Sequence, residues 1–108
     1  MNEISKAEEM VLLAVWSLAD EAYGVSIRRQ IRKNTRKDYT YGTLYGLLRQ
    51  MERKGYLRKI KGEPLPKKGG RSKSYFKLTP LGIRALKDAM EFHERMWKDI
   101  DELSFEKL

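Results

Sequence analysis

The chain has 108 residues, and 23 Lys and Arg against 15 Asp and Glu give it a formal net charge of +8, which suits one domain with a densely charged surface. Cysteine is absent and the single histidine is His93, so disulfide scaffolds, thiolate or His-rich metal sites and cysteine nucleophiles are excluded, and we expect no cofactor and no metal. The longest apolar run has seven residues, far below the roughly 20 that span a membrane, and we find no secretion signal, so we expect a cytoplasmic protein without a membrane partner.

The first predicted helix begins at Ser5, which forms a capping-box pattern with Glu8, and it runs to about Leu18. Apolar residues at helical spacing predict one stripe that faces the core: Ala7, Val11, Ala14, Val15 and Leu18. Further apolar residues extend this surface almost all the way round: Met10, Leu12, Leu13 and Trp16. Such a helix needs two surfaces to pack on, and in a small domain one of them can belong to another subunit.

Two more helices are predicted before residue 56. The shorter runs from about Val25 to Lys33, and a polar loop, Asn34–Asp38, follows it. The next starts near residues 40–43 and ends at Gly55, a residue that readily adopts a left-handed conformation. Its core side follows the i, i+3, i+4, i+7 pattern: Leu44, Leu47, Leu48 and Met51. Its opposite side is small at the start and basic toward the end: Gly42, Gly46, Arg49, Gln50 and Arg53.

Two short strands are predicted at Tyr56–Ile60 and Ser74–Leu78, because both segments are rich in β-formers. The segment between them, Lys61–Lys73, contains two prolines and three glycines. We predict a long, flexible and basic hairpin tip without regular structure there.

The last predicted helix has Thr79 as its N-cap and Pro80 at its first position, and it extends to about Leu103. A seam repeats every seven residues along it: Ile83, Leu86, Met90, His93, Trp97 and Ile100. The helix is too long for the small core to cover, so we interpret residues 80–108 as a dimerisation helix that forms one compact unit with a domain of residues 1–79. The alternative is an amphipathic helix that folds back on its own domain.

The charges are segregated along the chain. Residues 28–77 carry a net +14, whereas the two ends, residues 1–27 and 78–108, together carry −6. This distribution predicts a polyanion-binding face in the middle of the chain, and its alternative is a solvated basic face without a ligand.

The element order predicts a mainly α fold with a small two-stranded β wing, which is a winged helix-turn-helix followed by the long helix. In this fold the third helix enters the major groove of DNA, where glycines allow a close approach and arginines reach guanine edges or phosphates. Tyrosine and threonine hydroxyls suit phosphates, although Tyr45 fits a core position equally well. The predicted DNA-binding residues are Tyr23, Tyr41, Gly42, Thr43, Tyr45, Arg49, Arg53, Lys67, Lys68, Arg71 and Lys73.

Several motifs at matching spacing resemble PadR-type transcriptional regulators: Glu9–Ala14, Tyr23–Ile27, Gly42–Leu48, Met51–Glu52, Lys54–Gly55, Gly69–Thr79 and Gly82. The resemblance covers roughly residues 8–86. It implies a winged helix-turn-helix homodimer that represses transcription from a palindromic operator, with the C-terminal helix packed on the first helix of the partner. It also implies that some members bind aromatic or cationic small molecules near the dimer centre and then release DNA.

The resemblance assigns the apolar surfaces of the first and last helices to the dimer. The predicted interface residues are Met10, Leu13, Trp16, Leu86, Met90, His93, Trp97 and Ile100. In one branch of the family a tryptophan stacks on the ligand, and His93 occupies that position here. Two interpretations therefore stand for Trp16, His93, Met96 and Trp97, which either line an effector pocket or fill the dimer core.

We therefore predict a sequence-specific, double-stranded-DNA-binding transcriptional repressor of PadR type. The alternative is a winged-helix module that binds RNA or another protein without operator specificity. An enzyme is excluded, because one histidine, no cysteine and no paired carboxylates in the basic centre leave no acid–base or nucleophilic pair.

Overall fold

The computed structural model describes residues 3–64, 72–100 and 105–106. Three helices, α1 (Lys6–Leu18), α2 (Gly24–Thr35) and α3 (Tyr41–Arg53), precede an antiparallel pair of strands, β1 (Leu57–Pro64) and β2 (Ser72–Leu78), and a last helix, α4 (Pro80–Met96), follows. This arrangement confirms the predicted fold class. Within the described ranges, no helix is both long enough and apolar enough to cross a membrane.

The core lies where α1 meets α2, α3 and the sheet. Its largest fully buried side chains come from all three of the first helices: Leu12, Ile27, Leu44, Leu48, Met51, Val11 and Val15. Phe76 of β2 and Ala85 of α4 complete it. Truncating one of the larger side chains to alanine typically costs about 2–5 kcal/mol, so the core fixes the orientation of α3.

The helix ends confirm the predicted caps. The Glu8 amide donates to Ser5 Oγ at 3.1 Å, and the Ser5 amide donates to Glu8 Oε1 at 2.8 Å. Gly55 has a φ of +82° at the turn after α3, and Thr79 caps α4 ahead of Pro80. Each cap pairs backbone groups that have no partner inside the helix.

The α2 helix is longer than predicted. It continues through Asn34 to Thr35, whose hydroxyl donates to the carbonyl of Ile31 at 2.7 Å. Arg36 then ends the helix in a left-handed conformation with a φ of 65°. The predicted polar loop is therefore wrong for residues 34 and 35.

The strands also reach beyond their predicted ends, so the prediction that residues 61–73 lack regular structure is wrong at both edges. Cross-strand pairing continues to Lys61–Ser74 and, after an irregularity, to Pro64–Ser72. Gly62 suits this irregularity, because a Cβ there would lie 3.0 Å from the carbonyl oxygen of Lys73. The central part of the predicted tip lies outside the described residues.

The α4 helix is shorter than predicted, since it ends at Met96 instead of near Leu103. Residues 97–99 form a turn that the Ile100 amide closes by donating to the Trp97 carbonyl at 3.0 Å, and the Trp97 ring lies 6.0 Å from the Phe105 ring, centroid to centroid. An acidic residue at position 99 would interact unfavourably with a helix C-terminus, and the contact with Phe105 requires the chain to leave the helix. The prediction that the last helix extends to about Leu103 is therefore wrong.

Candidate nucleic-acid interface

The exposed face of α3 carries two glycines that internal packing does not require. Leu44, Leu48 and Met51 on the opposite face are completely or almost completely buried. A Cβ built at Gly42 or Gly46 would meet no described atom within 4 Å. Each glycine lowers helix stability by roughly 0.5–1 kcal/mol relative to alanine, so the bare backbone is a feature of the outer surface.

Arginines extend this face toward the end of α3. Arg49 and Arg53 are exposed, and neither forms an ion pair with an acid in the described part of the chain. Gln50, which we also predicted to point outward, instead turns toward α1, where its Nε2 lies 3.3 Å from Glu8 Oε2. The outer face of α3 therefore combines bare backbone with unneutralised charge.

The start of α3 is held by Arg28 from α2. Its Nε donates to the carbonyl of Tyr39 at 2.6 Å, and its Nη2 lies 2.9 Å from Asp38 Oδ1. Its guanidinium lies 4.8 Å from the centroid of the Tyr41 ring, within the range of a cation–π contact. These contacts fix the turn before α3 and leave Tyr41 40% exposed.

Tyr45 and Thr43 lie on the same part of the surface as Tyr41. The Tyr41 and Tyr45 rings are stacked with 6.3 Å between their centroids. The Tyr45 hydroxyl also packs against the start of α2, where a Cβ on Gly24 would overlap it. Tyr45 is nevertheless 40% exposed, so it is packed on one side and open to solvent on the other, and its contact with DNA stays a prediction. The exposed Thr43 hydroxyl hydrogen-bonds with that of Thr40 at 3.1 Å.

The wing is attached to the start of α2 through aromatic contacts. The rings of Tyr23 and Tyr75 lie 5.6 Å apart, and their backbones pair as an isolated bridge. Lys73 Nζ lies 4.3 Å above the Tyr23 ring. Tyr23 is therefore half-buried and holds a basic residue of the wing at a defined place.

A cleft of about 370 Å³ separates α3 from the wing. Arg49, Lys59 and Lys73 line it together with Glu52. Sequence reasoning missed Lys59, because a short strand does not reveal which of its faces meets α3. The other predicted wing contacts, Lys67, Lys68 and Arg71, lie outside the described residues.

A second surface, between α1 and α4, is apolar. Trp16 is 58% exposed and Met90 is 53% exposed, and with Leu13, Ile83 and Leu86 they line a groove of about 410 Å³. His93 lies at its edge with Nε2 3.0 Å from Glu9 Oε1. Of the remaining predicted interface residues, Met10 is half-buried, whereas Trp97 and Ile100 are exposed beyond α4. The groove brings Trp16 and His93 together, but Met96 and Trp97 do not line it.

A buried carboxylate connects the two surfaces. Glu8 of α1 is 3% exposed, and its Oε2 lies 2.6 Å from Lys54 Nζ at the end of α3. Burial raises the pKa of Glu8. The hydrogen bond and charge of Lys54, together with the bonds to Ser5, lower it by a larger amount, so the pKa of Glu8 lies below its ordinary value. Sequence reasoning found the capping role of Glu8 and missed its partner on α3.

The sequence model of the Transcriptional regulator PadR-like family matches residues 12–88. The chain belongs to this family. The matched region includes about half of α1, all of α2, α3 and the wing, and the first half of α4. The PadR-like family consists of transcriptional regulators rather than enzymes, and this protein is accordingly a DNA-binding regulator. A search of curated proteins found no match.

Several solved structures share the fold of this chain. A transcriptional regulator from Clostridium thermocellum is 26% identical, with a TM-score of 0.68 over 86% of this chain and 87% of that one. A PadR family transcription regulator from a hypervirulent Clostridium difficile is 22% identical, with a TM-score of 0.65 over 94% and 97% of the two chains. A winged-helix DNA-binding protein from STIV shares the fold at 19% identity and a TM-score of 0.67, over 88% and 95% of the two chains.

Proposed function

We propose that this PadR-like protein is a homodimeric repressor that binds a palindromic operator. The observation that carries the proposal is the outer face of α3, where Gly42 and Gly46 expose bare backbone beside Arg49 and Arg53. Bare backbone lets a helix approach base edges closely, and arginine makes the commonest specific contact, a bidentate pair with guanine. The cleft lysines, Lys59 and Lys73, are suited to the adjoining phosphates.

The dimer in this proposal rests on the groove between α1 and α4. Its large apolar side chains, which include Leu13, Trp16, Ile83 and Met90, are exposed side by side, and neighbouring exposed apolar side chains of this kind mark interaction sites. In a twofold dimer, α4 of one protomer would fill the groove of the other, and the same patch would serve both. The two copies of α3 would then lie about 34–36 Å apart, which is one turn of the duplex.

Binding to DNA at increasing salt concentration tests the proposal. An operator is first located by footprinting on the DNA upstream of the gene for this protein. With about 6–10 phosphate contacts, affinity for it should fall roughly 10³–10⁵-fold between 50 and 200 mM salt. A matched RNA duplex should not compete, because the A-form major groove does not admit the helix. Equal competition by RNA would contradict the repressor function.

Arg49 provides the test of sequence specificity. Arg49→Ala should weaken operator binding by about 1–3 kcal/mol and random-sequence binding by less, because an arginine–guanine pair forms only at the matched site. Arg84→Ala on α4 is a control, because Arg84 is exposed and lies outside the proposed interface. Equal weakening on both DNAs by Arg49→Ala would place Arg49 among the phosphate-binding residues.

The groove also decides whether a small effector acts on the repressor. We propose that partner side chains fill it in the dimer, because Met96 and Trp97 do not line it. Titration of Trp16 fluorescence with planar aromatic and cationic compounds tests this, with Trp97→Phe removing the second tryptophan signal. A saturable response that also releases operator DNA would favour an effector pocket instead.

A further inference from the structure

A stripe of cations on α2 lies beside the proposed DNA surface and takes no part in the contacts described above. Arg29 and Lys33 lie one turn apart on one face of the helix, and Arg36 follows three residues later as the left-handed residue that caps the C-terminus of α2. This face is opposite to Ile27 and Ile31, which are buried in the core. We call these three residues the α2 stripe.

The α2 stripe is not neutralised within the chain. All three of its residues are exposed, and among the described residues none of them forms an ion pair. The nearby carboxylate, Asp38, is occupied by Arg28 at 2.9 Å and Arg32 at 3.8 Å. Arg29 and Lys33 are like charges one helical turn apart and therefore repel each other, and Arg36 adds a third positive charge after them, so an anion outside the chain would relieve this repulsion.

The α2 stripe continues the proposed interface on a side that the wing does not reach. Arg28 and Arg32 lie next to it around α2, and Arg28 contacts Tyr41 at the start of α3. The wing instead meets the start of α2 and the side of α3 that carries Arg49. Arg28 and the wing thus meet different parts of α3, and the stripe lies beyond Arg28 around α2.

Its length fits the backbone of a duplex. Arg36 lies seven positions after Arg29, and at a rise of about 1.5 Å per residue the stripe spans about 10 Å. One DNA strand carries a phosphate about every 3.4 Å along the axis, so the stripe matches about three phosphates. We infer that the α2 stripe is a sequence-independent binding surface for the DNA phosphate backbone, which rests on the proposed operator-binding function and extends it.

Arg36 supplies an independent reason to assign a role to this face. Its φ of 65° is a left-handed conformation, which glycine adopts readily and arginine does not. Its side chain is exposed and packs into no described core cluster. An exposed non-glycine residue in a left-handed conformation is more common at functional sites, and the charge of Arg36 is the property that glycine would lack.

The first test removes the stripe and compares two DNAs. The variant carries Arg29→Gln, Lys33→Gln and Arg36→Gln, and binding is measured by fluorescence anisotropy with the operator and with a random duplex of equal length. Affinity should fall by the same factor for both, about tenfold or more near 0.1 M salt, and the slope of log K against log salt should flatten by about 0.9 for each phosphate that the variant no longer neutralises. The ratio of the two affinities should stay at the wild-type value.

A matched control has the same change in composition and charge. Arg84→Gln, Arg95→Gln and Lys98→Gln also remove two arginines and one lysine from exposed positions, on and after α4. This control should bind both DNAs within about twofold of wild type. If the stripe variant behaves like the control, the inference is overturned, and an acidic protein becomes the better partner for the stripe. If it loses affinity only for the operator, the inference is also overturned, because the stripe then acts on sequence recognition.

The second test separates charge from folding. Arg36→Gly should raise the melting temperature, because it removes the left-handed strain, and it should lower affinity for both DNAs. A folding defect cannot produce this combination, whereas unchanged DNA affinity would contradict the inference. If wild-type protein binds the operator no tighter than random DNA, the proposed operator function fails, but the stripe can still be judged on the random duplex.

Discussion

The outer faces of α3 and α4 are both unexplained by packing within the chain, but in opposite ways. On α3, Gly42 and Gly46 lack side chains where nothing in the described structure would obstruct one. On α4, Ile83 and Met90 leave large apolar side chains 43% and 53% exposed. Each face lowers the stability of the isolated chain, through helix propensity in one case and exposed apolar area in the other. The absence of side chains on α3 and the exposed apolar side chains on α4 are therefore equally informative about binding partners.

The charges distinguish the partners of the two faces. Residues 28–77, which contain α3 and the wing, carry a net +14, whereas the segments that contain α1 and α4 carry −6. Bare backbone among cations suits a duplex, and an apolar groove with an acidic surround suits a second copy of the chain. In the proposed dimer the two basic faces would add to a polyanion site, while the ends pair the subunits.

The largest expected effect comes from placing a charge in the apolar groove. Met90→Glu should convert a dimer into monomers at micromolar concentration, because an unpaired buried carboxylate costs about 3 kcal/mol or more. Sedimentation velocity gives the oligomeric state, and operator affinity should fall with it. Leu81→Glu is the matched control, since Leu81 is also an exposed apolar residue of α4 but does not line the groove. If Met90→Glu stays dimeric, the interface lies elsewhere. If the wild-type protein is monomeric, the proposed dimer does not exist.

The next effect concerns the link between the two regions. Lys54→Met leaves the carboxylate of Glu8 buried with Gln50 as its remaining side-chain partner outside the cap. We expect unfolding free energy to drop by about 2–3 kcal/mol in urea titrations, because a buried charge then has no cationic partner. The double variant Glu8→Gln, Lys54→Met should recover part of this stability. If the double variant is no more stable than Lys54→Met alone, the buried charge is not the cause.

This link also shows where prediction from sequence reaches its limit. The cap from Ser5 to Glu8 spans three residues and could be predicted, as could the core stripe through Leu44 and Leu48, because helical geometry fixes local contacts. The bond from Glu8 to Lys54 joins residues 46 positions apart, and no local pattern encodes it. The same holds for Lys59, whose place in the cleft depends on how the wing packs against α3.

The corrected boundaries have a related cause. Gly62 and Pro64 favour turns locally, but pairing with β2 extends the strand through both of them. The seven-residue seam of α4 predicts a helix that continues past Trp97, whereas the chain turns there and brings Trp97 against Phe105. In both places tertiary contacts override local preference, so element type could be predicted more securely than element length.

A smaller effect is expected where α3 lacks side chains. Gly46→Ala should raise the unfolding free energy by roughly 0.5–1 kcal/mol, because alanine favours the helix and its methyl group meets no described atom. Operator affinity should fall about tenfold, because the methyl group would prevent the closest approach of the backbone to the bases. Thermal unfolding and fluorescence anisotropy on one sample test whether stability rises and whether operator affinity falls. Gains in both stability and affinity would contradict the proposed role of the bare surface.

The smallest effect should come from the ion pair between Lys77 and Asp20, which lies at the surface. Lys77 Nζ lies 2.7 Å from Asp20 Oδ1, close to the 2.6 Å of the Lys54–Glu8 pair, but the Asp20 side chain is 80% exposed and that of Glu8 is 4% exposed. The hydrogen bond and charge of Lys77 lower the pKa of Asp20, so the stability that the pair contributes is complete above the pKa of Asp20 in the unfolded chain and is lost as the pH falls through the lower pKa of the folded state. Water and salt screen exposed pairs, so Lys77→Met should change stability far less than Lys54→Met, and least at high salt. Equal destabilisation in the two variants would show that burial does not set the strength of the link between α1 and α3.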